Sequence, residues 1–334
     1  MVESLLVHSL DGFSATVQAN VLGFDVGSFV RHTLNGLYYG LILFMIASGL
    51  TVIFGVLGIL NLAHGELYAL GAFVVFSVVG YATGLVASPA DPVSAVIFGV
   101  VVLAASLIAA TVLLPVGAVI EAVFIRPIYD RHEVYQLLLT YAILLILVDV
   151  MKFGWGPSPL DAGTYGGLNE IPTLELVGFS YPSYNVIVIL VGVAVFLWLA
   201  WFFDRSKTGR IVRATAINRE MATAIGVSTD RMFTLVFAMG AFFAGFGGAM
   251  VSIGPSTAFL EMGLDPLVLS FVVVVIGGLG SLKGAFVGAL LVGVISRWAI
   301  WIYDPIELAA PFALMLIILL IRPEGLFGTW GEIE

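Results

Sequence analysis

The sequence predicts an all-α fold, a polytopic transmembrane helical bundle of about eight to ten spans in which several helices are interrupted by glycine. Three observations carry that expectation. The 334 residues are 60% hydrophobic and only 10% charged, with a mean hydropathy of +1.11, whereas a soluble domain is about half apolar and a quarter charged. Apolar runs of about 20 residues, enough to cross about 30 Å of hydrocarbon as a helix, recur along the chain. None alternates with the period of two that a porin strand needs, so helices are expected to carry the spans.

Taken in order, the runs lie near 33–58, 66–86, 96–120, 137–155, 184–203, 232–253, 284–303 and 305–321. A ninth stretch, Pro266–Leu279, is apolar but too short for a full crossing unless it is tilted or re-entrant. The chain opens Met1-Val2-Glu3 without the basic stretch of a cleavable signal peptide, so none is expected. Three regions follow from this reading: a poorly defined segment 1–30, a transmembrane domain 31–322 that contains a cytoplasmic segment 204–231, and a cytoplasmic tail 323–334.

Lys and Arg concentrate in cytoplasmic loops. Arg126, Arg131, the six cations from Arg205 to Arg231, Lys283 and Arg322 fall on one side, ten of 13, and that side is assigned to the cytoplasm. The opposite face receives the acidic, Gly/Pro-rich loop 156–184 with Asp161, Glu170 and Glu175, and shorter loops around Asp91 and 261–265. Lys152 lies near Trp155, and Arg297 among Trp298, Trp301 and Tyr303, as snorkelling anchors of an aromatic belt would. A net charge of −9 argues against nucleic acid as a partner. The absence of cysteine excludes disulfides, thiolate metal sites and thiol catalysis, and no cofactor is expected.

Gly55-x-Leu57-Gly58-x-Leu60 recurs as Gly277-x-Leu279-Gly280-x-Leu282. Paired glycine-broken segments in two halves of a chain point to a translocation path; a sequence with 38 glycines also repeats such patterns by accident. Gly277, Gly278 and Gly280 are therefore candidate path residues. Small residues also recur at four-residue spacing in Gly280/Gly284/Gly288, Gly240/Ala244/Gly248 and Gly36/Gly40, which lets helix backbones approach closely in lipid.

The break Asn61-Leu62-Ala63-His64-Gly65-Glu66 puts three polar side chains between two apolar runs. Hydrocarbon penalises them unless they meet water, partners or a cavity, so Asn61, His64 and Glu66 are candidates for the path. Equally, Asn61 can cap a helix whose first turn holds Glu66. His64 is not expected to bind metal, because His8, His32 and His132 offer no ligand spacing with it.

Segment 204–231 is basic. From Asn218 a short helix is expected: Asn218 caps it, Glu220 lies in its positive first turn and Gly226 ends it. Met221, Ala224 and Ile225 share one face at spacings of three and four, a pattern that fits docking into another protein's groove. A basic cytoplasmic loop can also simply attract anionic lipid.

Glu220-Met221-Ala222-x-x-x-Gly226 resembles the Glu-Ala-Ala-x-x-x-Gly motif of ABC-importer permeases, and Asn61–Glu66 resembles the Asn-Phe-Ala-His-Gly-Glu signature of LivH-type branched-chain amino acid permeases. Arg126-Pro127, Gln136 to Thr140, Trp155-Gly156-Pro157, Gly277 to Ser281 and Arg322 to Gly328 resemble further blocks of that family in the expected order. Met221 departs from the importer motif by replacing its first Ala. The resemblance implies a multi-pass permease of the cell membrane that works by alternating access, beside a second permease subunit that is usually a diverged sibling. Two ATP-binding subunits would dock on its cytoplasmic loops, and an extracytoplasmic solute-binding protein would deliver the substrate. Arg210, Arg213 and Arg219 would then supply rim charge to the docking contact, with Met221, Ala222, Ala224, Ile225 and Gly226 around its anchor. The chain lacks a Gly-x-x-x-x-Gly-Lys-Ser/Thr loop, so ATP would be hydrolysed elsewhere and the chain is not expected to be an enzyme.

Two rivals stay open. Related permeases for urea or short amides share a very similar Asn-x-Ala-His-Gly-Glu block. A standalone ion-coupled transporter would need acids inside the spans, where only Glu66 and Asp149 fall, both near ends.

Overall fold

The computed structural model describes residues 25–82, 92–160, 173–176, 179–253 and 257–328. Helix α1 (Val26–Leu57) starts on Asp25, whose carboxylate accepts from the Ser28 amide at 3.2 Å, and stops at the left-handed Gly58. The transmembrane boundary expected at 31 thus lies five residues inside α1.

Helix α2 (His64–Ala82) follows, then α3 (Pro92–Val119), which continues as a π-helical turn, Ile120–Ile125, and a 3₁₀ turn, Arg126–Ile128. Helix α4 (Glu133–Trp155) leads to a two-stranded antiparallel hairpin, β1 (Thr173–Leu176) and β2 (Phe179–Pro182). The remaining elements are α5 (Ser183–Arg205), α6 (Lys207–Ile217), α7 (Arg219–Ala224), α8 (Thr229–Ile253), α9 (Leu264–Gly277), α10 (Leu282–Tyr303) and α11 (Ala309–Ile321).

The hairpin corrects the all-α expectation: residues read as acidic loop pair as strands, although helices still form the bundle. Asp91, Asp161 and Glu170 lie outside the described residues, as do 1–24 and 329–334. Among the described residues six helices are long and apolar enough to cross a membrane: Val26–Leu57, Gly99–Ile128, Glu133–Trp155, Ser183–Arg205, Thr229–Ser252 and Leu282–Ile306. His64–Gly80, Leu264–Gly277 and Ala309–Ile321 are shorter apolar helices. The run near 305–321 shortens because Pro305 sits in a 3₁₀ turn, Asp304–Ile306, that separates α10 from α11.

α1 is the centre of the bundle. Every residue from Gly40 to Ile53 is buried, the condition of a helix apolar all round. Glycine ridges bring its neighbours close: a Cβ on Gly40 would stand 2.5 Å from Ala289 O of α10, and one on Gly49 2.6 Å from Gly240 O of α8. Gly248 faces the Tyr68 carbonyl, and Gly284 faces Gly277. The small-residue spacings therefore serve packing within the chain.

The basic segments share one end of the bundle. Arg219 lies over Tyr129 and Phe233, Arg126 reaches Thr234, Thr140 Oγ1 donates to Leu60 O, and Gly55 meets Gly280. At the other end Arg31 lies over Phe179, and the Trp298 indole donates to Thr33 at 3.2 Å. There Arg297 covers the Tyr39 ring at 4.3 Å and approaches Glu307 to 3.9 Å, an anchored cation in aromatic surroundings.

Candidate functional site

At the basic end, Ser206 caps α6 by accepting from Gly209 N at 2.9 Å, and Asn218 caps α7 by accepting from Met221 N at 2.8 Å. Gly226 is left-handed at φ +88° and follows the last turn. The expected short helix is present, one residue after α6 ends. Met221 and Ile225 are 61% and 72% exposed, Ala224 is exposed beside them, and Ala222 is buried against the chain itself. Leaving two large apolar side chains in water is unfavourable without a covering surface.

The cations divide. Arg210 is exposed. Arg213 bonds Asp204 at 2.5 Å across the α5–α6 turn, and Arg219 sits 4.8 Å from the Phe233 ring centroid and 5.7 Å from that of Tyr129. Two of the three arginines expected at a docking rim are thus engaged inside the chain.

The polar break lies deeper. His64 Nε2 is 3.0 Å from Ile46 O, and Ile46 is about 16 Å along α1 from Leu57 at 1.5 Å per residue. A carbonyl only accepts, so Nε2 carries the proton and Nδ1 presents a lone pair. The Asn61 side chain accepts from Ala63 N at 3.1 Å, and its carbonyl from His64 N at 3.2 Å, which turns the chain into α2. Asn61, His64 and Glu66 are completely buried. Asn61 Nδ2, His64 Nδ1 and both Glu66 carboxylate oxygens have no hydrogen-bond partner among the described residues. An amide donor, an imidazole acceptor and a carboxylate left unmatched at one helix start are costly as pure structure.

The glycine candidates form a separate group. Gly55 lies against the Gly280 Cα, and Gly58 and Gly280, equivalent in the two repeats, are both left-handed. Gly277 and Gly278 meet the C-terminal segment: Leu326 N donates to Ile276 O at 2.9 Å and Phe327 N to Gly277 O at 3.1 Å. Those carbonyls end α9 and would otherwise lack partners. From Gly55 to Ile46 is about 13 Å along α1, so the glycine break and the polar break do not merge. A groove of about 180 Å³, lined by Phe54, Gly58, Leu60, Glu133, Gln136 and Leu137, opens below the polar break at the basic end.

Sequence reading missed Glu121, which lies one residue beyond an apolar run and was given no role. It is completely buried. Arg126 donates to it from Nε at 3.2 Å and Nη2 at 2.8 Å, Tyr129 OH at 2.8 Å and Thr234 Oγ1 at 2.6 Å. Burial first, and then the Glu121 carboxylate, push the Tyr129 phenol well above its usual range, so it remains a donor. The available signal was an acid five residues before Arg126, the spacing a π-helical turn closes.

A bundle of apolar helices, six of which among the described residues are long enough to cross a membrane, defines the class of integral membrane proteins. The chain belongs to the family described as branched-chain amino acid transport system / permease component, whose model matches residues 32–321. It is 27% identical over 317 residues to the high-affinity branched-chain amino acid transport system permease protein LivH of Salmonella typhimurium, covering 92% of this chain and 97% of that one. It is 29% identical to BraD of Pseudomonas aeruginosa over 93% and 99% of the two chains, and 24% identical to LivM of Escherichia coli over 86% and 68%. The chain is accordingly a transport subunit of a membrane and not an enzyme.

Proposed function

We propose that this chain is one of two membrane subunits of an ABC importer for branched-chain amino acids, a LivH-like permease paired with a diverged sibling. The observation that carries the reading is α7: a capped helix at the basic end whose Met221, Ala224 and Ile225 face outward. Two ATP-binding subunits would cover that face from the cytoplasm, and an extracytoplasmic binding protein would load solute at the opposite end. The three shorter helices serve as partial spans, bringing the total into the range of eight to ten. Asn61, His64 and Glu66 line the solute's route once the bundle opens, with the glycine breaks at Gly55–Gly58 and Gly277–Gly280 as the flexible points. Alternating access then follows from movement of α6–α7 by the ATPases.

The test is uptake into proteoliposomes that contain the chain, its sibling and the ATPases, with binding protein supplied outside the import face. Leucine uptake that requires ATP is the expected result. Uptake of urea in place of leucine would move the substrate to the amide class. Uptake by the chain alone, driven by an ion gradient, would overturn the importer reading.

A further inference from the structure

We propose that Arg126, Tyr129 and Thr234 form a clamp around the buried Glu121 carboxylate that passes movement of α7 into the membrane helices α3 and α8. The proposal rests on the importer reading; its four residues lie apart from Met221, Ala224 and Ile225 and from the polar break, and meet α7 through Arg219 on the Tyr129 ring.

The clamp closes twice between the same two residues. Arg126 N–H bonds Glu121 O along the π-helical turn, and the two side chains pair through both carboxylate oxygens. Thr234 bridges the pair from α8: its Oγ1 lies 2.6 Å from Arg126 Nη2 and 2.6 Å from Glu121 Oε2. Four contacts thus converge on one carboxylate from the α3 extension and from α8. A buried ion pair is weak support for stability, because desolvation cancels much of its attraction; what it enforces is geometry. π-Helical turns likewise recur where a helix has been bent for function.

The docking side of the clamp is visible in Arg219, the first residue of α7. Its guanidinium rests on Phe233, which immediately precedes Thr234, and on Tyr129, which donates to Glu121. Tyr129 and Phe233 pack edge to face, with centroids 5.3 Å apart. Gln136 Nε2 holds the intervening turn by donating to the carbonyls of Tyr129 and Arg131 at 3.2 and 3.1 Å. Any displacement of α7 therefore drags rings whose hydroxyl and neighbour are bonded to the Glu121 carboxylate. Transmission needs such an element with few alternative arrangements.

Two substitutions loosen the clamp while keeping its volume. Tyr129→Phe removes the phenol bond to Glu121 but retains the ring beneath Arg219, and Thr234→Val removes the hydroxyl bridge. The full transporter, reconstituted in proteoliposomes with its ATPases, is assayed for leucine uptake and ATP hydrolysis in the same vesicles. Each variant is expected to move at least threefold less leucine per ATP hydrolysed, with the ATPases still co-purifying, and Thr234→Ser is expected to restore the wild-type ratio. The ratio is insensitive to the fraction of folded complex, so a purely structural role would leave it unchanged. An unchanged ratio in both variants, whatever the melting temperature does, overturns the clamp. A wild-type complex without ATP-dependent uptake would instead overturn the importer reading beneath it.

Discussion

Gly65 and Gly263 meet backbone to backbone: Gly263 O stands 2.5 Å from where a Cβ on Gly65 would lie, and Gly65 O 1.9 Å from the same point on Gly263. The first turn of α2 and the residue that opens α9 are held together by the absence of two methyl groups. Both helices place an acid there, Glu66 in one and Asp265 in the other, at the positive end of the helix dipole.

Adding either methyl should force the two helix starts apart. Gly65→Ala and Gly263→Ala are each expected to cost at least about 1–3 kcal/mol, the range for overpacking where the obstructing atoms are backbone. Gly154→Ala, at a helical position with open space around it, should be neutral or stabilising by up to about 1 kcal/mol. Thermal unfolding of the three variants in detergent checks the contrast; equal melting temperatures would refute the close approach.

Among the described residues Glu66 has no hydrogen-bond partner for either oxygen, and it is completely buried. Replacing it with Gln removes a buried charge that the helix dipole offsets only in part, so Glu66→Gln should raise stability by about 1 kcal/mol. If the carboxylate serves the solute's route, uptake in proteoliposomes should fall at least tenfold in the same variant. A variant both less stable and fully active would contradict each half of this expectation.

The Asn218 cap satisfies one backbone amide of α7. Asn218→Ala should destabilise that helix by about 1 kcal/mol, seen as faster hydrogen exchange at 221–224 with the protection of α8 unchanged. Uniform exchange rates in variant and wild type would mean that packing of Ala222, and not the cap, holds α7.

Met221 and Ile225 are mostly exposed, so Met221→Asp and Ile225→Asp should leave the chain's unfolding free energy within about 0.5 kcal/mol of wild type. Burying a carboxylate beneath a partner is costly, and affinity for the ATPases should drop at least tenfold. Retained co-purification of those subunits would show that the docking face lies elsewhere.

The polar break illustrates what local sequence can and cannot reveal. Asn61 was read both as a cap and as a path residue. Its Oδ1 turns the chain into α2 as a cap does, while its Nδ2 has no hydrogen-bond partner among the described residues. Caps at Asn218, Ser206 and Ser281 depend on residues three apart and were within reach of pattern reading. The Glu121 clamp was not, because Thr234 lies 113 residues away. The strand pairing of 173–182 was hidden for another reason: its first strand offers four residues amid a polar loop, too few to show a period.

Legible from the order of residues alone are the helical membrane class, where the apolar helices run, the gathering of ten of the 13 cations at one end, and a capped helix near 219–224 among them. Those properties arise from composition and from contacts a few residues apart. Distant pairing, invisible in the order of residues, brings the two glycine breaks together at Gly55 and Gly280, lets the segment after Arg322 close the end of α9, and engages Arg213 with Asp204 and Arg219 with Phe233. Each is a pairing of distant segments settled by which backbones can approach most closely, and in hydrocarbon that close fit, rather than apolarity, selects one helix neighbour over another.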